Sequence, residues 1–265
     1  MRWTLIVFFT VMFLLFSCCV IAVVDFPNTI EGFPSEGFHR IVPLEPGGTL
    51  SLENIDGDIA IYGWERDEVE ITAEKLVPRS YGGRVRVFSL KHLRPRIELD
   101  RFEDFVKIRT RPASGDRRGG VVNYEVMVPQ SIDLKDIIGK EGNIVISDLY
   151  GKVFAELERG DVTVKNFSGS LTVSAMVGSV KSELYDLRSD DEIKITTREG
   201  DIIVFLQPEV VAHIDAQAPS GSILSEFDLK VSLPTREVSV EIGGEGGAFL
   251  SLSTLKGDIH LKKIE

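Results

Sequence analysis

The sequence predicts an all-β protein: a single-stranded β-solenoid or β-roll with glycine turns, preceded by an N-terminal membrane segment. Three observations lead there. Glycines recur at Gly142, Gly151, Gly160, Gly169 and Gly178, nine residues apart, each followed two places on by an aliphatic: Ile144, Val153, Val162, Leu171 and Val180. Other stretches alternate apolar and polar residues, as Val69, Ile71 and Ala73 do, with the two-residue period of a half-buried strand. Finally, Leu5 to Val24 is an uncharged apolar run broken only by Thr10 and Ser17, long enough as a helix to span about 30 Å of hydrocarbon.

Residues 1–24 read as a signal anchor or an export signal, with Arg2 on the side that stays cytoplasmic. The expected membrane contact runs through residues 5–24. A cleaved or lipidated form is the alternative, because Leu15-Phe16-Ser17-Cys18 is a weak lipoprotein-like pattern with Cys18 as the lipidated residue. Either reading places the body outside the cytoplasmic membrane, in a bacterial cell envelope. Residues 25–37, with Pro27 and Pro34, read as a tether. Residues 38–265 form the repeat domain: 38–130 give N-terminal strands and a cap, and 131–265 give the glycine-turn repeats.

Within the cap the charge changes sign. Residues 79–118 hold 12 Lys/Arg against 5 Asp/Glu in a chain whose net charge is -11. Arg84 and Arg86, and Arg109 and Arg111, alternate with apolar residues and so line a solvated strand face or a contact surface for an anionic partner. No nucleic acid is expected, since no recognition-helix or zinc-finger pattern occurs. Both cysteines, Cys18 and Cys19, lie in the apolar run, so the body has neither a disulfide nor a thiolate nucleophile.

The repeats have a physical basis. Glycine accepts a positive φ or a close chain approach at a turn, and the Asp, Asn or Ser beside it accepts a backbone N–H. The next residues form a strand whose alternate side chains point inward. Two nine-residue units make one coil of a flattened solenoid, or alternatively the strands of an antiparallel sandwich. Matching phase favours the solenoid. Further copies begin at Gly57, Gly200, Gly221 and Gly257. The spacings of 22 and 21 from Gly178 to Gly200 to Gly221 predict looser coils, with insertions at Asp190-Asp191 and near Pro208. All nine of these glycines are expected to be fold-critical turns.

The chain resembles the bacterial putative-adhesin family, a domain of unknown function built of β-strand repeats. The resemblance rests on Leu52-Glu53-Asn54-Ile55-Asp56-Gly57-Asp58-Ile59, followed by Gly63-Trp64-Glu65-Arg66-Asp67-Glu68-Val69. Val122 to Pro129 and the glycine turns add to it, so that it covers about residues 38–263. One departure is Lys135-Asp136-Ile137-Ile138-Gly139 after Leu134, which predicts an irregular first coil. The resemblance implies a fold more than an activity.

Catalytic chemistry is not expected. His39, His92, His213 and His260 are scattered, and no metal-ligand or cofactor motif occurs. The Gly-Asp turns supply one carboxylate each, where calcium wants six to eight oxygens. Trp64 is a candidate contact residue that could stack on a sugar. The expected function is therefore a non-catalytic, membrane-tethered, extracytoplasmic β-repeat protein, an adhesin or envelope scaffold that binds a protein or glycan. Two alternatives differ in class. One is a carbohydrate-active solenoid enzyme using stacked carboxylates such as Asp161 and Asp201. The other is an envelope-sensing partner protein docking through the basic segment.

Overall fold

The computed structural model describes residues 35–76, 95–112, 120–229 and 234–264. In chain order the strands among them are β1 (Ser35–Pro43), β2 (Thr49–Glu53), β3 (Ile59–Trp64), β4 (Glu68–Leu76), β5 (Arg96–Arg101) and β6 (Phe105–Arg111). β7 (Val121–Pro129), β8 (Asp133–Glu141), β9 (Ile144–Arg159), β10 (Val162–Val177), β11 (Val180–Leu184) and β12 (Glu192–Glu199) follow. Last come β13 (Ile202–Leu206), β14 (Ala212–Gln217), β15 (Ile223–Ser225), β16 (Glu237–Ile242), β17 (Ala248–Lys256) and β18 (Ile259–Lys263).

These strands pair into two rows. One row runs β1-β4-β7-β3-β9-β10-β11-β13-β18-β15. The other runs β5-β6-β2-β8-β9-β10-β12-β17-β14-β16. β9 and β10 serve both rows because each bends midway, where Asp148 and Gly151, and Asn166 and Gly169, take positive φ. Pairing is parallel through the body of each row. Antiparallel strands close the ends: β4 and β1 beyond β7, β5 beyond β6, and β16 beyond β14.

The inward positions make the core. Ile59, Ile144, Val162, Val180, Ile202, Ile259 and Ile223 stand in register along one row, all buried. Val153, Leu171, Ile193, Leu250 and Ile214 do the same along the other. Full burial of each such side chain contributes about 1.5–3 kcal/mol, which a lone coil cannot collect, so neighbours must stack.

The outer corner of the stack is a column of glycines. Gly142 lies against Gly57, Gly160 against Gly142, Gly178 against Gly160, Gly200 against Gly178, Gly257 against Gly200 and Gly221 against Gly257. The residue after each glycine forms a polar ladder. Starting from Asn123, each side-chain oxygen accepts the backbone N–H of the next rung, through Asp58, Asn143, Asp161, Ser179, Asp201 and Asp258 to Ser222. Donor–acceptor distances are 2.7–3.3 Å. These bonds satisfy turn N–H groups that the ladders leave unpaired.

The coils do not stack in chain order. Gly221 was expected beside Gly200, yet Gly257 stands there, and β13 pairs with β18. The chain makes an excursion through β14, β15 and β16 to build one end, then inserts β17 and β18 behind it. At the other end β4 to β7 make an equivalent excursion between β3 and β8. The irregular first coil is present as well: β8 is bulged between Leu134 and Ile137, and Asp136 takes a positive φ.

The cap also buries a polar cluster. The Asn54 side chain donates to Val122 O at 2.8 Å and Gly57 O at 3.0 Å, and accepts from Thr110 Oγ1 at 2.9 Å. That leaves the Tyr124 hydroxyl to donate to Thr110 Oγ1 at 2.7 Å, and burial pushes the Tyr124 phenol up to about 12. Ser182 is different. It faces inward between Val164 and Val204, fully buried, and its hydroxyl has no hydrogen-bond partner among the described residues. Ser182→Ala is expected to raise the unfolding free energy by about 1 kcal/mol in denaturant titration, because it removes an unsatisfied buried hydroxyl.

The predicted fold class is corrected in its membrane element. Among the described residues no helix is long and apolar enough to cross a membrane; the apolar residues there alternate with polar ones in strands. Membrane contact through residues 5–24 is accordingly withdrawn, and that segment, Cys18 and most of the 25–37 tether lie outside the described residues. The two-unit, eighteen-residue coil holds from Gly142 to Gly178, within a parallel body that antiparallel strands extend.

Candidate functional site

Three successive coils meet at the bends of β9 and β10. Neighbouring rungs there are 18 residues apart, while the next coil takes 22. The additional residues form a loop over 185–191, between β11 and β12, that stands beside the glycine floor of Gly151 and Gly169. A Cβ at Gly169 would collide with Gly151 O, so only glycine keeps this floor low. Floor and loop enclose an open groove of about 770 Å³.

The wall of the groove is held in place. Asp191 Oδ2 accepts the Arg188 N–H at 2.8 Å within the loop, and the Asp186 N–H donates to Gln207 Oε1 at 3.1 Å. Ser168 Oγ donates to Tyr185 O at 2.8 Å, and Ser170 Oγ accepts the Glu192 N–H at 3.2 Å. On the opposite side Asp133 Oδ1 accepts the Lys152 N–H at 2.8 Å. Tyr150 is 46% exposed on the lining. Five carboxylates and two cations face the space, so its field is negative.

The residues expected to make contacts lie elsewhere. Trp64 ends β3; its Nε1–H donates to Glu68 O at 2.9 Å, and Arg66 covers the ring at 4.6 Å. Arg109 donates to Asp100 at 2.6 Å and Arg111 to Glu98 at 2.9 Å, across the β5–β6 pair. Their charges are matched by β5 carboxylates. Arg84 and Arg86 lie outside the described residues. Tyr150 stands in no motif of the sequence, whereas the insertion expected at Asp190-Asp191 is the loop over 185–191. The signal was available in the coil from Gly178 to Gly200, longer by four residues and rich in charge.

A separate cluster sits on the β14–β16 end. His213 Nδ1 lies 2.8 Å from Glu241 Oε1, Nε2 lies 3.1 Å from Asp215 Oδ1, and the ring stacks on Phe249 at 5.5 Å. The bond to Glu241 holds the imidazole pKa above its ordinary value, assisted by Asp215 and opposed by partial burial. The folded pKa exceeds the unfolded one. The clasp therefore contributes stability below the unfolded value of about 6.5, and that contribution fades as pH rises through the folded value. The gap in thermal midpoint between wild type and His213→Gln is expected to be larger at pH 5.5 than at pH 8; a pH-independent gap would refute the clasp.

The stacked carboxylates do not form a catalytic pair. Asp161, Ser179 and Asp201 are consecutive rungs, but each uses a side-chain oxygen on a turn N–H. Among the described residues no group of three or more His, Cys, Asp or Glu could hold a metal ion.

The chain belongs to the Toastrack DUF4097 family, whose pattern matches residues 47–262. Its fold is similar to that of a putative cell adhesion protein from Clostridium sporogenes ATCC 15579. The identity is 14% and the TM-score 0.50, over 86% of this chain and 100% of that one. A putative adhesin from Bacteroides fragilis NCTC 9343 also matches, with 11% identity and a TM-score of 0.33, over 86% of this chain and 97% of that one. At 14% identity the likeness to the Clostridium protein shows the fold alone. No curated protein matches the chain. Family membership and this likeness make the chain a β-repeat protein of the Toastrack fold.

Proposed function

We propose that the protein acts outside the cytoplasmic membrane as an adhesin-like recognition scaffold of the cell envelope, its stacked coils presenting a fixed groove to an envelope component. The observation that carries this reading is the 185–191 loop. It lengthens an otherwise regular coil and is pinned by hydrogen bonds beside a glycine floor. A pinned loop on a stacked scaffold suits binding, because little ordering entropy remains to be lost on association. Export and lipidation at Cys18 belong to the same proposal, since a lipid would attach the body without a spanning helix. The fold-critical role of the glycine turns, the tether at 25–37 and the division at residue 130 are parts of it also.

The test is retention of purified full-length chain on envelope fragments from its own source cells. Wild type is expected to sediment with them, and a Tyr150→Ala/Arg188→Ala variant to stay in the supernatant. Equal retention of both would refute the groove as the recognition surface. Mass spectrometry of the mature N-terminus checks the second part: a diacylglyceryl cysteine at position 18 is expected, and an unmodified Met1 start would contradict it.

A further inference from the structure

We infer that the groove takes a saccharide chain, neutral or amine-bearing, with Tyr150 as the face on which a sugar ring stacks. This rests on the recognition reading above and names its ligand class.

Four features converge. Tyr150 is an aromatic residue 46% exposed on the lining, beside the glycine floor, so part of its ring is available to an apolar ligand surface. Pyranose rings offer such a surface through their axial C–H groups, and tyrosine offers large contact area with little rotamer entropy to lose. The hydroxyls of Ser131, Ser170 and Thr172 line the same space, as do the carboxylates of Asp186 and Asp190. These groups match a ligand dense in hydroxyls, each able to donate to a carboxylate and accept from a hydroxyl.

The third feature is spacing. The coils repeat at about 4.8 Å along the stack, close to the length of one pyranose unit, so a linear oligosaccharide lying along the groove advances about one rung per sugar, from Tyr150 to Ser168. The fourth is charge. With five carboxylates against two cations, the groove repels uronates and phosphorylated polymers and attracts an amine. Lys152 and Arg188 remain as donors for ring and acetamido oxygens. A peptide partner fits less well. The groove lacks the deep apolar pocket that anchors a side chain, and the strands at its floor are paired on both sides, leaving no free edge for strand addition.

The experiment titrates full-length protein with three tetrasaccharides of defined composition: N-acetylglucosamine, glucosamine and galacturonic acid. Binding is read by calorimetry. The first two are expected to bind, glucosamine more tightly, and the galacturonate not to bind. Tyr150→Ala should weaken both complexes by about tenfold, the scale of one aromatic contact. Asp186→Asn should remove most of the preference for the amine. Asp186 has a φ of 46°, a conformation asparagine also tolerates, so this variant changes charge without adding strain. Unchanged thermal midpoints show that both variants are folded.

Failure of all three sugars to bind wild type overturns the inference, as does binding that Tyr150→Ala leaves intact or galacturonate binding as tightly as glucosamine. The recognition reading fails separately. If envelope retention is lost in the groove variant while no sugar binds, the groove stands and its ligand is not a saccharide. If retention is also unaffected, both fall.

Discussion

Gly160→Ala is expected to prevent stable folding. Gly160 has a φ of 129°, and a Cβ there would lie inside the van der Waals surface of Gly142 O and close to Gly142 C. The obstacle is backbone, held before it by the β8–β9 pairing and after it by the β9–β10 pairing, so no side-chain rotation relieves it. Positive φ costs a non-glycine residue about 1–2 kcal/mol, and overpacking about 1–3 kcal/mol more. Moving the turn would also break the bonds through Asn143, Asp161 and Ser179. These two costs alone total about 2–5 kcal/mol, and with the lost bonds they approach the whole stability of a marginal domain. Gly37→Ala is the control: Gly37 has no positive φ, and a Cβ there meets nothing within 4 Å. Chemical denaturation of the two variants side by side measures the difference; equal midpoints would refute the glycine column as a packing constraint.

Asn54→Ala should be the most damaging polar substitution in the cap. Asn54 is 4% exposed, and its amide serves Val122 O, Gly57 O and, at 3.3 Å, Asp56 O, while its Oδ1 accepts from Thr110 and from the Ile55 N–H. Truncation leaves Val122 O and Thr110 Oγ1 buried without that partner and opens a void, at a cost of about 2–4 kcal/mol. Tyr124→Phe removes only the outermost bond and should cost about 1 kcal/mol. The ratio matters more than either value. If Asn54→Ala and Tyr124→Phe cost the same, Asn54 is not the hub of the cluster.

Much of this architecture was legible because a strand's period and a turn's chemistry are local. The glycine at each turn and the Asp, Asn or Ser after it identified the corner and its ladder, down to the acceptor role of Asp161. Which strand lies beside which is not local. Gly221 and Gly257 begin nearly identical motifs, Gly-Ser-Ile and Gly-Asp-Ile, and either could stack on Gly200 by pattern alone. The choice falls to how Gly243 to Gly247 carries the chain from β16 on one side of β14 to β17 on the other, a tertiary matter. The antiparallel ends escaped notice for the same reason, since alternation in β4 or β16 is blind to strand direction.

The site was less legible than the fold. Arg109 and Arg111 stood out as basic residues in an acidic chain, but Glu98 and Asp100 lie across the strand pair and match them. Tyr150 carries no motif. It becomes a candidate only when Ser168 lies beside it in register and the 185–191 loop rises past both. The histidine clasp likewise joins residues from β14 and β16, far apart in sequence.

The most direct test of the central claim, that the groove is the recognition surface, is hydrogen–deuterium exchange of the full chain with and without native envelope fragments. The account predicts added protection at 150–152, 168–172 and 186–192, with β6 and β16 unchanged. Protection confined to the Arg109–Arg111 face or to β16, or none anywhere, would contradict it.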